Sequence, residues 1–427
     1  MGRDMIKLLI LADDFTGALD TGVQFAARGA RTCVVTDPAY DFTRAAGDVQ
    51  VLVMDAETRH LGAKEAYGVV HRAVRDALGA GFTYIYKKTD SALRGNIGAE
   101  LTAVLDAAGA DSLAFLPAFP KMNRVTRGGV HYIDGVPVAE SVFGLDPFEP
   151  VKASAVADII AEQSAVPVVL HERMEQVPAE RRPGVQVYDA DSDEDLMRTG
   201  LQLGAEGLRL CAGCAGFAAA LANILKLDGK APEFPKLVPA LFVACGSVNP
   251  VTLRQMRVAG ERGFRHIHLD PVQKLEREWT DSGACAEEVR KWLADAKTGR
   301  CILDVNDPEG CGGTALYAKA HGLKTEDLRV RISANLAILM ERLLDGGLDA
   351  TLLCTGGDTL LALMRRVGVS ELTPVCEVAT GAVLTAFVYK GKTYHIISKS
   401  GGFGEPELFC ELASLVGAGE KKEDASC

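Results

Sequence analysis

A succession of short apolar runs, each followed by a charged loop and then a helical pattern, constrains this chain more than any other feature of its sequence. Lys7 to Ala12, Arg31 to Thr36, Val49 to Met54, Phe82 to Tyr86 and Ser112 to Leu116 read as strands, with helices such as Gly62 to Leu78 and Ile97 to Ala108 between them. Strands alternating with helices at this spacing predict an α/β fold with a mostly parallel, doubly wound sheet. The strand exits carry Asp13, Asp14, Asp55, Arg59, Lys87, Asp90, Arg94, Lys121 and Arg124. Random surface charge would fall on helix faces as often as on strand ends, so this clustering points to one cleft at the carboxyl ends of the strands.

The densest exit is Tyr86 to Asn96, Tyr-Lys-Lys-Thr-Asp-Ser-Ala-Leu-Arg-Gly-Asn. Read as a strand-to-helix turn, it brings Lys87, Lys88 and Arg94 to a helix N-terminus with Asp90 and Ser91 between them. The cations suit a carboxylate or phosphate, and Asp90 suits a hydroxyl or its proton. A solvated loop whose Asp caps the helix is the plainer alternative. In Asp13-Asp14-Phe15-Thr16-Gly17-Ala18 a cap would require one Asp, and two adjacent carboxylates cost energy unless a cation or proton holds them. Asp13 and Asp14 are therefore candidates for a cation-bridged or base role, and Thr16 and Gly17 leave the backbone open to a small ligand.

The 427 residues exceed one ordinary core and suit two domains. Lys226 to Lys236 has two prolines and few core residues, the composition of a linker, which places the boundary near 232 and the domains at 1–232 and 233–427. A net charge of −11 argues against broad nucleic-acid or membrane-surface binding. No apolar run is long enough for a membrane span, and Met1 to Lys7 lacks a signal-peptide core, so a cytoplasmic location is expected. The 11 cysteines, odd in number and set in apolar runs, read as reduced buried thiols. Cys211 and Cys214, the one Cys-x-x-Cys, have no second pair nearby for zinc.

Within the first domain, Val130 to Val138 reads as a hairpin on an Asp-Gly turn, followed by a helix (Ala153 to Gln163), strands Val166 to Leu170 and Val185 to Ala190, and a helix opening at Asp191. The second domain opens with strand Ala240 to Cys245, then Gly246-Ser247-Val-Asn249-Pro250 into a helix capped by Asn249. Strands follow at His266 to Leu269, Cys301 to Val305 and Thr351 to Cys354, with a helix at Ile332 to Leu344. The last of these strands exits into Gly356-Gly357-Asp358-Thr359 and a helix. Further strands lead to Lys399-Ser400-Gly401-Gly402-Phe403-Gly404 and a final helix, and the charged tail after Gly417 is expected to be disordered. Glycines between a strand and a helix N-terminus let backbone N–H groups cradle a phosphate. Neither the Gly-x-x-x-x-Gly-Lys-Ser/Thr loop nor the Gly-x-Gly-x-x-Gly fingerprint is present. His266 and His268 share one strand face and could ligate a metal, but with 8 histidines in the chain and no third nearby in sequence, a packed strand is the favoured reading.

Six stretches in order carry a family resemblance: Asp-Asp-Phe-Thr-Gly-Ala at 13–18, Lys-Lys-Thr-Asp-Ser-Ala-Leu-Arg-Gly-Asn at 87–96, Pro-Ala-Phe-Pro at 117–120, Gly-Ser-Val-Asn-Pro-Val-Thr at 246–252, Thr-Gly-Gly-Asp-Thr at 355–359 and Ser-Gly-Gly-Phe-Gly at 400–404. Together they resemble the four-carbon acid sugar kinases, which phosphorylate threonate, erythronate or 3-oxo-tetronate with ATP. The resemblance implies an N-terminal acid-sugar domain, a C-terminal nucleotide domain and an active-site cleft between them. Departures are Asn123-Arg124 where the family usually has Gly-Arg, Cys214 in place of a small hydroxyl residue, and Gly381-Ala-Val in place of Gly-Ile-Pro.

On this reading the reaction is phosphoryl transfer from ATP to the terminal hydroxyl of a tetronate, D-threonate or D-erythronate being favoured and 3-oxo-tetronate the alternative. Asp14, Asp90 and Arg94 are the expected catalytic residues. Asp13, Asp14, Arg59, Lys87, Lys88, Asp90, Ser91 and Arg94 are expected at the acid sugar, and Ser247, Gly356, Gly357, Asp358, Thr359, Gly401 and Gly402 at ATP. Magnesium is expected with the nucleotide, its protein ligands unassigned. Sugar acid and ATP are the expected partners, without nucleic acid or membrane, and a homo-oligomer is compatible with the sequence. The competing classes are a non-catalytic organic-acid or nucleotide binding protein and a metal-dependent hydrolase built on His266 and His268.

Overall fold

A computed structural model describes residues 7–45, 49–146, 149–227, 229–297, 299–308 and 312–417 of the chain. Packing divides it into two compact units, Met1–Pro232 and Glu233–Cys427. The charged tail expected to be disordered lies outside the described residues.

The first unit runs β1 (Leu8–Ala12), α1 (Phe15–Ala26), β2 (Thr32–Val35), β3 (Val51–Asp55), α2 (Ala63–Gly79), β4 (Tyr84–Lys88), α3 (Ile97–Ala108) and β5 (Ser112–Leu116). There follow a three-stranded excursion β6 (Arg124–Arg127), β7 (Val130–Ile133) and β8 (Val136–Pro137), then α4 (Val156–Ala161), β9 (Val168–His171), β10 (Gly184–Tyr188), α5 (Asp193–Gly207), β11 (Leu210–Gly213) and α6 (Ala215–Ile224). Its main sheet is parallel, in the order β2-β3-β1-β4-β11-β5-β10-β9. β1 and β4 are buried along their whole lengths, as strands covered by helices on both faces must be. α2 turns Ala66, Val70, Ala73, Val74 and Ala77 inward at helical spacing, and the last four join Leu9, Leu52, Leu101 and Val104 in one core.

Register sets the site. Asp55, Ala12, Lys88 and Gly213 lie in one row across β3, β1, β4 and β11, at the carboxyl ends of the strands. From β1 the chain moves to β2 and β3 on one side and then crosses to β4 on the other, so this row spans the point where the winding reverses. Ligands of open α/β sheets bind at such a point.

The second unit runs β12 (Leu241–Cys245), α7 (Pro250–Glu261), β13 (Arg265–His268), α8 (Pro271–Leu275), α9 (Arg277–Thr280), α10 (Gly283–Ala296), β14 (Arg300–Asp304), α11 (Gly313–Ala320), α12 (Thr325–Asp345), β15 (Thr351–Thr355), α13 (Gly357–Val367), β16 (Glu371–Ala379), β17 (Ala382–Tyr389), β18 (Lys392–Lys399) and α14 (Leu408–Gly417). Its strands order as β13-β14-β12-β15-β18-β17-β16, parallel through β18 and antiparallel beyond. His268, Asp304, Cys245, Thr355 and Lys399 form one row, again at the carboxyl ends. Asn249 caps α7 through Val251 N at 2.9 Å, with Pro250 in the first turn.

Several expectations need correction. The strand expected at Phe82 to Tyr86 extends through Lys88, so both lysines belong to β4 and not to the turn after it. Pairing with β1 and β11 on either side overrides the local preference of two adjacent lysines. The expected hairpin has a further strand, β6, which pairs with β7. The helix expected from Ala153 to Gln163 shortens to Val156–Ala161. Helices α8 to α11 were not expected. No helix among the described residues is long and apolar enough to cross a membrane.

Candidate active site

Arg59 organises the first unit's strand exits. Its backbone N–H donates to Asp13 O at 3.2 Å, beside Thr58 N to the same oxygen at 3.1 Å, which docks the loop after β3 onto the loop after β1. Its guanidinium then reaches three acids: Nε to Asp13 Oδ2 at 2.8 Å, Nη1 to Asp14 Oδ2 at 2.8 Å, and Nη2 3.5 Å from Asp90 Oδ1. This is the cation that adjacent Asp13 and Asp14 require. Asp14 also caps α1, its Oδ1 accepting from Gly17 N at 3.0 Å, so the capping and cation-bridged readings both hold. Burial pushes the Asp13 carboxyl up, but Arg59, Lys88 and Lys87 together bring it below its ordinary range. Asp14 is the most open of the three, with 24% of its side chain exposed against 2% for Asp13 and 8% for Asp90.

The 89–96 loop is tied to its own Asp90. Asp90 Oδ2 accepts from Ala92 N at 3.1 Å and Arg94 N at 3.3 Å, and the Arg94 fork grips both oxygens at 3.0 Å. Leu93 takes a left-handed φ of 62° inside this turn, a strained conformation held in place by the surrounding bonds. Burial opposes the Asp90 charge, yet Arg94 and Arg59 hold its carboxyl well below the usual range. Asn96, at the start of α3, spends its side chain elsewhere: Nδ2 donates to Thr58 O at 2.8 Å and Leu61 O at 2.9 Å, fixing the loop that presents Arg59.

The two lysines part company because strand neighbours face opposite sides of the sheet. Lys87 is fully buried, its Nζ donating to Lys88 O at 2.7 Å and 3.0 Å from Glu100 Oε2 on α3. Lys88 points to the Asp14 side, its Nζ donating to Thr89 O at 2.7 Å. A Cβ at Gly17 would stand 2.7 Å from that Nζ and 2.5 Å from Asp14 Oδ1, so any larger residue would displace both groups. Asp55, in the same strand-end row, is buried, and burial reinforced by Glu57 and Asp14 raises its carboxyl well above the usual range.

Four side chains here, Arg124, His131, Phe143 and Asp146, were given no site role from sequence. Arg124, at the start of β6, bonds Ser91 Oγ through Nη1, and its guanidinium lies 5.0 Å from the centre of the Phe143 ring, with that of Arg94 at 5.1 Å. Arg94 Nη1 also reaches Asp146 Oδ2 at 3.3 Å. His131 of β7 meets Ser91 O through Nε2 at 2.9 Å, and burial pulls it down to about 4. Arg124 stood among the charged strand exits, but nothing near Phe143 or Asp146 has the periodicity that would mark them.

The departures from the family pattern are accommodated. Asn123 has a left-handed φ of 51°, the conformation glycine would supply and asparagine tolerates. Cys214 Sγ donates to Pro117 O at 3.3 Å and Ala118 O at 3.2 Å, as a hydroxyl would. Ala382 and Val383, at the third departure, are buried at the start of β17.

In the second unit three loops converge on backbone. A Cβ on Gly246 would meet Thr359 Oγ1 at 1.8 Å, and one on Gly401 would meet Ser247 Oγ at 2.8 Å. Gly356 (φ 93°) and Gly357 open α13 without a side-chain cap, leaving its first N–H groups for a ligand. The loop 401–405 is held from below: Thr252 Oγ1 donates to Gly401 O at 2.8 Å, Lys399 Nζ to Thr252 Oγ1 at 2.9 Å and Gly401 O at 3.1 Å, and Gln255 Nε2 to the carbonyls of Phe403, Gly404 and Glu405 at 2.9–3.0 Å. Burial pulls Lys399 down to about 8. Gly402 lies near Asn249. Asp358 turns out of this group onto Arg329 of α12, Nη2 to Oδ1 at 2.7 Å.

One parallel α/β unit with a cation-clasped set of carboxylates and a second with three glycine loops make a two-domain phosphotransferase. The family profile of a sugar-binding N-terminal domain matches residues 8–221, and that of a nucleotide-binding C-terminal domain matches residues 242–409. The chain is similar to a D-threonate kinase of Salmonella typhimurium (29% identity, 95% of this chain and 97% of that one) and a D-erythronate kinase of Heliobacterium modesticaldum (30%, 95% and 96%). It is also similar to a 3-oxo-tetronate kinase of Cupriavidus necator (27%, 95% and 96%). A solved protein of Salmonella typhimurium LT2 shares the fold, with TM-score 0.78 at 20% identity over 96% of this chain and 99% of that one. The chain belongs to the four-carbon acid sugar kinase family.

Proposed function

We propose that this kinase transfers the terminal phosphoryl group of ATP to the 4-hydroxyl of D-threonate or D-erythronate. The observation that carries the assignment is the Arg59 clasp, which gathers Asp13, Asp14 and Asp90 from two strand exits at the sheet's reversal point. Phosphoryl transfer demands positioning and charge neutralisation more than covalent help. Asp14, the least enclosed of these acids, orients the attacking hydroxyl and takes its proton. Asp90, held ionised by Arg94 and Arg59, is a weak base and serves to fix Arg94 in place. Arg94, with Arg124 beside it, receives the substrate carboxylate, and Lys88 faces the charge that develops near Asp14. Lys87 supports this group from beneath through Glu100.

Ser247, the 356–359 loop with Thr359, and Gly401 with Gly402 cradle the ATP phosphates. Magnesium would neutralise phosphate charge during transfer. Asp358, the carboxylate at the start of α13, is engaged by Arg329, and no side chain is assigned to magnesium. The identities of 29%, 30% and 27% to threonate, erythronate and 3-oxo-tetronate kinases are too close to select a substrate. Measuring ADP release with D-threonate, D-erythronate, their L-isomers and 3-oxo-tetronate decides it. The proposal expects the highest kcat/KM on one of the two D-acids, and a clear preference for 3-oxo-tetronate overturns it.

A further inference from the structure

Among the described residues, one cluster brings metal-ligating groups together, at the outer strand ends of the second unit. His266 and His268, two apart on β13, present their rings side by side, centroids 4.0 Å apart and planes 26° off parallel. Sequence offered no third ligand, but β14 supplies one: parallel pairing sets Asp304 beside His268. Asp304 Oδ2 lies 2.9 Å from His266 Nε2 and 3.6 Å from His268 Nδ1, and the three ligand atoms all fall within 4.8 Å of one another.

These spacings suit a cation. With metal–nitrogen and metal–oxygen bonds of about 2.0–2.2 Å, neighbouring ligands of a tetrahedral ion lie about 3.4 Å apart, between the two observed separations. A support is also present. Asp304 Oδ1 accepts from Asn306 N at 2.9 Å and Asn306 Nδ2 at 2.7 Å, which turns Oδ2 toward the imidazoles. The plainer alternative is two hydrogen bonds, His266 Nε2 with Asp304 Oδ2 at 2.9 Å and His268 Nδ1 with Asn306 O at 3.2 Å, the second of which a metal ion would displace. It does not by itself call for two stacked imidazoles, the second 35% exposed, beside one carboxylate oxygen.

We propose that His266, His268 and Asp304 bind one divalent transition-metal ion, with water completing its coordination. Two imidazoles and one carboxylate favour zinc, cobalt or nickel over magnesium or calcium.

The test uses untagged, chelator-treated full-length protein without nucleotide, titrated with Co2+ and Zn2+ by calorimetry and by cobalt visible absorption. One equivalent per chain with micromolar or tighter affinity is expected, together with a rise in Tm on adding Zn2+. His268→Gln, a change at a partly exposed position, should weaken binding at least tenfold while leaving the metal-free Tm unchanged, and His266→Gln should weaken it likewise. Absence of saturable binding overturns the proposal, as does unaltered affinity in both variants.

Discussion

The carboxyl edges of the two units are built differently on the same architecture. In the first, charged side chains crowd the strand ends: Arg59 and Arg94 bind Asp13, Asp14, Asp90 and Asp146. In the second, three glycine loops sit beside the strand ends, with Lys399, Gln255 and Thr252 bracing the last of them. A small acid must be recognised by its functional groups, which calls for directed cations and acceptors. A polyphosphate is suited by rows of N–H groups at helix starts. Parallel sheets supply both kinds of edge, and the exit residues decide which is built.

The largest expected effect breaks the first edge. Arg59→Met leaves three enclosed carboxylates without their shared cation, at a cost of about 3–5 kcal/mol. It should lower Tm by about 10 °C and abolish turnover, as thermal unfolding and ADP release would show. A Tm within a degree or two of wild type would mean the clasp is not the organising element. Two glycine substitutions then sharpen the contrast. Gly246→Ala, whose Cβ would meet Thr359 Oγ1 at 1.8 Å, should raise the KM for ATP at least tenfold and leave that for the sugar acid within twofold. Gly17→Ala, pressing on Asp14 and Lys88, should give the reverse pattern. Steady-state kinetics with each substrate varied would show whether the two edges are separable.

The smallest effect concerns Lys399. Burial lowers its folded value to about 8 from an ordinary 10.5, so between these pH values the unfolded chain holds more protons than the folded one. Stability from this group must therefore rise with pH across that window. Urea unfolding at pH 8 and pH 10 should show wild type gaining relative to Lys399→Met; no relative gain would mean that the ammonium is not held in a desolvated position.

Much of the fold was legible because strands and helices alternate with clear periodicity, and the linker composition stood out. What escaped depended on contacts between distant residues. β4 extends through Lys87 and Lys88 because flanking strands pair with it, which no local rule shows. Helices α8 and α10 carried a readable signal in the Asp270-Pro271 start with Gln273 and in the Ser282 cap. The candidate site was legible as charged exits, yet the identity of the clasp was not. Arg59 was one strand-end charge among several, and only register at the β3–β1–β4 junction sets it against Asp13, Asp14 and Asp90. His266 and His268 lacked a third ligand for the same reason, since Asp304 joins them by strand pairing and is 36 residues away in sequence.

On the proposed function, the carboxylate-lined edge performs the transfer and the glycine-lined edge holds the nucleotide. Asp14→Asn, assayed for ADP release with D-threonate and D-erythronate and for ATP binding by calorimetry, tests it most directly. The account expects kcat to fall at least about 100-fold, within the range for loss of a positioned acid or base, with the ATP Kd within twofold of wild type. Near-wild-type turnover, or turnover lost together with ATP affinity, would contradict it.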